Sequence, residues 1–99
     1  MGSGVQKMQT GSFLGTGSAL EIRTVTFRPR KVELFNQDGL AVAMWQKGMA
    51  DDSMMKQVTA GTISLASSDG ITPLSDGFGL GADTDMNVDG EQVFWTAFE

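Results

Sequence analysis

The sequence predicts an all-β domain: a single antiparallel β-sandwich, jelly-roll-like, of about eight short strands. Three observations carry this. Thirteen glycines are spread between short apolar stretches, while proline occurs only twice. Within the stretches apolar and polar residues alternate, the period of a strand with one buried face. Strong helix formers never line up at a 3.6-residue period over a long window, so no helix beyond a turn or two is expected. At 99 residues the chain has room for one domain with a thin core, so contacts with partners can add materially to its stability.

The elements follow in order. Lys7–Leu14 is the first candidate strand, closed by Gly15-Thr16-Gly17-Ser18. In the second, Ala19–Phe27, Leu20 and Ile22 share one face but Val25 and Phe27 share the other. The phase slips at Arg23-Thr24, as it does at a bulge or a corner. Pro29 lacks an N–H donor and restricts Arg28-Pro29-Arg30 to a turn or an edge. Lys31–Asn36 points Val32 and Leu34 inward and ends at the turn Gln37-Asp38-Gly39. Leu40–Gln46 is apolar on both faces (Leu40, Val42, Met44 against Ala41, Ala43, Trp45), the pattern of a central strand covered on both sides. Gly48–Met55 is a loop with room for one helical turn capped by Asp51, Asp52 or Ser53. Lys56–Thr59 and Thr62–Ala66 are short strands around Ala60-Gly61. Ser67–Gly70 is a turn, Ile71–Leu74 is extended around Pro73, and Gly77–Gly81 carries Phe78 and Leu80. Ala82–Gly90 is an acidic loop. Glu91–Phe98 closes the chain, with Val93, Trp95 and Ala97 on one face and Phe94, Thr96 and Phe98 on the other. Residues 1–10 are set apart as an N-terminal segment, an arm or partly a cloning remnant, and 11–99 form the β domain.

Composition argues against catalysis. The chain has no cysteine and no histidine. It therefore lacks thiolate chemistry, the commonest general base and the commonest metal ligand. No serine sits in a nucleophile elbow. Gly15-x-Gly17 and Gly77-x-Gly79-x-Gly81 do not open helices and so do not cradle phosphate. No cofactor is expected. No apolar run approaches the ~20 residues of a membrane helix, and Met1-Gly2-Ser3-Gly4 does not have the pattern of a signal peptide. The net charge of −5 speaks against nucleic acid as a partner. That charge is unevenly placed: residues 1–50 hold six bases and three acids, residues 51–99 only Lys56 against nine acids. Either the halves interleave and the charges pair, or the asymmetry serves charge-complementary assembly.

One series of short motifs points further. Gly11-Ser12-Phe13 and Gly15-Thr16-Gly17 come first, then Phe27-x-Pro29-x-x-Val32-x-Leu34. Ile71, Gly77-Phe78-x-Leu80-Gly81, Asp85-x-Asn87, Gly90-Glu91 and Val93-Phe94-Trp95-x-Ala97 follow. In this order they resemble the small β-sandwich modules of tailed-bacteriophage virion proteins, which occur as capsid decoration proteins and as tips of tail fibres. The resemblance implies a virion structural protein, foremost a decoration or cement protein on the capsid exterior. Its partners would be the major capsid protein and copies of itself, with a homotrimer favoured, and neither nucleic acid nor membrane. Two alternatives stand beside it: a fibre or spike tip binding a host-surface glycan, and a calcium-dependent adhesive module. Both tryptophans look buried by strand alternation, which counts against a sugar-stacking platform.

Three sets of residues are candidates for function. Asp83, Asp85, Asn87 and Asp89, ahead of Gly90, match the first half of a calcium loop, but the position that needs a bidentate Glu falls on Thr96. An acidic turn satisfying its own backbone accounts for the same pattern, and no metal is expected. Arg28, Arg30 and Lys31 form the only basic cluster, either a solvated turn or a contact with an acidic neighbour. Met49, Met54 and Met55 lie in or beside a loop and suit an adaptable contact surface.

Overall fold

The computed structural model describes residues 7–99. Three strands form close to where the sequence places them: β3 (Lys31–Asn36), β4 (Ala41–Gln46) and β8 (Gln92–Phe98) each bury every second side chain. The others are β1 (Met8–Leu14), β2 (Leu20–Ile22), β5 (Ser53–Gln57), β6 (Ile63–Leu74) and β7 (Gly77–Leu80). No helix occurs among the described residues. Residues 1–6 of the expected N-terminal segment lie outside the described residues, and Met8–Thr10 belong to β1.

All eight strands are antiparallel and form one sheet in the order β1-β8-β3-β4-β5-β6-β7-β2. The protein is therefore all-β with eight strands, and the sheet is a single one curled into a half-barrel. Four strands separate β7 from β8 in the hydrogen-bonded order, yet Phe78 meets Trp95 edge-to-face with ring centroids 5.6 Å apart. Val32, Leu34, Ala43, Trp45, Met54, Ile71, Leu80 and Val93 fill the space around this pair. Trp95 lies over Gly11, where a Cβ would stand 2.5 Å from the indole. Strand β1 is tied through a side chain to the segment that follows β2: Gln9 accepts from the Thr26 N–H (2.6 Å) and donates to the Thr24 carbonyl (3.4 Å).

The phase slip at Arg23-Thr24 is a corner. Strand β2 stops at Ile22, and the chain then buries Val25, Phe27 and Pro29 in turn. The expected turn at Ser67–Gly70 lies instead within β6. Adjacent residues Met54 and Ser53 face Ala66 and Ile71, leaving Ser67–Gly70 unopposed by β5. A Cβ at Gly70 would lie 2.5 Å from the Ser53 carbonyl carbon, so this crossing admits only glycine. Ile71–Leu74 is accordingly the second half of β6, where it pairs with β7. The loop after β4 contains no helical turn. The Trp45 indole N–H (3.0 Å) and the Ser53 hydroxyl (2.6 Å) both donate to the Ala50 carbonyl, and β5 begins at Ser53.

A further correction concerns β4. Its Ala41, Ala43 and Trp45 face is buried, but Val42 on the other face is 40% exposed. The monomer covers this strand on one side only.

Candidate functional site

Three surface features use the residues singled out above. The first is the acidic loop. Its amides and carboxylates are held internally: Asp83 is buried and accepts from the Asp85 and Met86 N–H groups at 2.9 and 3.0 Å. Lys56, reaching across from β5, donates to Asp83 Oδ1 at 2.8 Å and Asp85 Oδ2 at 2.7 Å. Burial pushes the Lys56 ammonium down, and the hydrogen bonds and charges of the two aspartates raise it by more, so it stays above the ordinary lysine value. Asn87 is wholly buried. Its Oδ1 accepts from the Thr16 N–H (2.8 Å), and its Nδ2 donates to the carbonyls of Ser18 (2.7 Å) and Gly81 (2.9 Å). Asp89 is exposed at the loop's edge. Two of the four candidate calcium ligands thus converge on a lysine, and a third clamps backbone.

The role of Lys56 has a sequence signal, since it is the only base among residues 51–99. Asn36, which sequence reasoning passed over, does a similar job. It is wholly buried, accepts from the Asp38 and Gly39 N–H groups, and donates to the Asp85 carbonyl and to Glu91. Its polarity at an inward position was the available clue, because a buried amide must find partners.

The second feature is a basic end. Arg28, Arg30 and Lys47 line a groove of about 550 Å³ together with Trp45, Asp51 and Glu99. The Lys47 N–H donates to the Arg30 carbonyl at 2.6 Å and the Arg30 N–H to the Phe98 carbonyl at 2.8 Å, fixing the turn against the ends of β4 and β8. Among the described residues no carboxylate forms an ion pair with Arg28, Arg30 or Lys47. Lys31 differs: its ammonium is 3.3 Å from Glu33 and lies over the Phe98 ring. At the far ends of β3 and β8 sit Asp38, Glu91 and the acidic loop. Arg28, Arg30 and Lys47 thus gather at one end of β3 and β8, with Asp51 and Glu99 beside them, and the acidic loop with Lys56 lies at the other; Arg23 pairs separately with Glu21 and Asp76.

The third feature is the outer face of the sheet. Cα partners in register form a row Thr10–Thr96–Glu33–Met44–Met55–Leu65 and a row Ser12–Phe94–Phe35–Val42–Gln57–Ile63. Between them runs a groove of about 390 Å³ lined by Phe35, Val42, Met44, Met55 and Phe94. The methionine candidates divide: Met55 is on this face, Met49 packs partly against the core, and Met54 is wholly inside it. Met54 therefore does not belong to a surface, because β5 begins early enough to turn it inward.

Comparison of the chain with protein-family models, with curated proteins and with solved structures gives no match.

Proposed function

We propose that this chain is a non-catalytic structural protein of a virion exterior, a capsid decoration protein that docks through its basic end. The observation that carries this is the set of cations Arg28, Arg30 and Lys47, free of ion pairs and gathered on a backbone fixed by β4 and β8. Cations left unpaired in a chain of net charge −5 suit an acidic partner surface. The order of motifs shared with phage virion modules supports the choice of a capsid as that partner. Adhesion then comes from added contact area and charge complementarity, with no bond made or broken.

The test is binding to expanded capsid shells of a tailed bacteriophage. Replacing Arg28, Arg30 and Lys31 with Ser weakens shell binding and flattens its salt dependence, while the fold survives because exposed charges contribute at most ~1 kcal/mol each. Lys47→Ser adds to the loss, whereas Lys31→Ser alone, with its ammonium on Glu33, changes least. Unchanged binding by the triple variant removes the basic end from the contact. Binding to host polysaccharide with none to shells replaces the proposal with the fibre-tip reading. That result would be surprising here, since Trp45 and Trp95 are both buried.

A further inference from the structure

The outer sheet face is the largest feature that docking through the basic end leaves unused. We infer that this face, across β1, β8, β3, β4, β5 and β6, is covered by the same face of a second copy of this chain. The inference goes beyond the proposed function and does not depend on it.

Four observations support a second copy as the occupant. The first is the sequence pattern: β4 and β8 are apolar on both sides, and the monomer buries one. Phe35 and Phe94 each remain 43% exposed, in cross-strand register with one another at the groove. A lone exposed leucine needs no explanation, but a contiguous apolar face does.

The second is charge. Lys31 and Glu33 are the face's only charged side chains near the groove, and they neutralise each other. The net charge of −5 opposes self-association in general, so two copies need a patch of low charge to meet like with like. The face is the neutral approach, and it lacks the excess of one sign that would mark a charged partner.

The third is the free edge. The chain from Gln57 to Ser68 contains no charged residue and no proline, and it forms the tip of the β5–β6 hairpin. The stretch Ile63–Ala66 is paired only by β5, since β7 takes the other half of β6. Ile63 and Leu65 point outward there. Exposed edges are normally guarded by lysine, proline or a bulge. A partner on the face does not pair this edge, but it does cover Ile63 and Leu65, which carry the apolar surface out to it.

The fourth is area. Six strands at ~4.8 Å spacing and six residues at ~3.4 Å rise span about 29 Å of arc by 20 Å, roughly 600 Å² measured along the curled sheet. Side-chain relief adds to this, while the curl keeps the outermost strands from facing a partner squarely, so the contact falls below the ~800 Å² per partner of a standard interface and is that of a weak dimer. Two such faces meet along the groove, with Phe35, Val42, Met44, Met55 and Phe94 filling the space between. A patch that matches itself closes as a pair about a two-fold axis. The expected oligomer is therefore a dimer, where the family resemblance implied a trimer.

Sedimentation equilibrium of the full chain over roughly 1–100 µM is the deciding measurement. The wild type sediments as a dimer, and Val42→Lys/Phe94→Lys as a monomer with an unchanged far-UV circular dichroism spectrum. A wild-type monomer throughout this range, a wild-type trimer, or a folded double variant that still dimerises overturns the inference. Leu65→Lys, on the exposed hairpin, guards against a double variant that fails to fold. It should weaken the dimer by about tenfold or more, and an unchanged dissociation constant overturns the inference equally. Shell binding is read separately, so the loss of one property does not imply the loss of the other.

Discussion

Replacing Lys56 with Met tests whether an ion triad, not a metal, holds the acidic loop. The substitution keeps the aliphatic stem and removes two charge-assisted hydrogen bonds, at 2.8 Å to Asp83 and 2.7 Å to Asp85. Such bonds contribute about 1.5–3 kcal/mol each when well shielded. Asp85 is about one-third exposed, so water screens most of its share. Asp83 is only 7% exposed and cannot be rehydrated in place, but it keeps its two backbone N–H donors. The loss should then fall below the 3–5 kcal/mol of a fully buried broken pair, at about 2 kcal/mol. At ~4–8 °C per kcal/mol for a domain of this size, the melting temperature drops by about 8–16 °C. Thermal melts followed by tryptophan fluorescence read this directly, since Trp95 and Trp45 report the core. Melts with chelator and with added calcium complete the test. Wild type is indifferent to both, while Lys56→Met, left with two unpaired carboxylates, gains stability from calcium. A variant that melts with wild type, or a wild type that collapses in chelator, refutes the reasoning.

The same triad makes an alkaline prediction. The folded pKa of Lys56 is raised, so its contribution is complete below the unfolded lysine value of ~10.4 and is lost as pH rises through the higher folded value. Denaturant melts should show the gap between wild type and Lys56→Met constant from neutral pH to about pH 10 and closing above it. Asn87→Ala removes three hydrogen bonds to the backbone of two other segments and leaves buried groups unpaired, with an expected loss of about 2–4 kcal/mol in urea denaturation. Gly11→Val drives a branched side chain into the Trp95 indole and should cost about 1–3 kcal/mol with a shift in tryptophan emission. Leu40 holds φ at 54° while 60% exposed, a conformation that asparagine tolerates better. Leu40→Asn should therefore raise stability by about 1 kcal/mol, read as a higher urea midpoint at constant slope.

Local alternation made much of the fold legible. β3 and β8 were readable residue by residue, because each buries one face of a regular pleat, whereas β4 was readable as a strand but its two apolar faces concealed that the monomer covers only one. β5 was not, because Met54-Met55-Lys56 does not alternate in polarity, although its side chains alternate in direction. Ser67–Gly70 has the composition of a turn and is one in a limited sense: the chain loops out there, but the strand continues. The pairing of β1 with β8 and of β2 with β7 joins residues up to 90 positions apart, as from Met8 to Phe98, and no local pattern encodes it. The same distance hid the ion triad, whose members lie 27 and 29 residues apart. The outer face was visible as a second apolar side on β4 and β8. What could not be read was that the domain itself supplies nothing to cover it among the described residues.

The position of β8 also bears on when this protein can fold. It is the last of the eight strands in chain order, yet it lies between β1 and β3 and delivers Val93, Trp95 and Ala97 to the core. Until residues 92–98 emerge, β1 has no neighbour to pair with and β3 has only β4. The nascent chain can form the β3–β4 and β5–β6 hairpins but cannot close the half-barrel. Folding of the half-barrel therefore waits until residues 92–98 have emerged, and a ladder of such high contact order forms slowly once it begins. Chains halted before Gln92 should be digested by protease at every length, and resistance should appear in one step when β8 is complete.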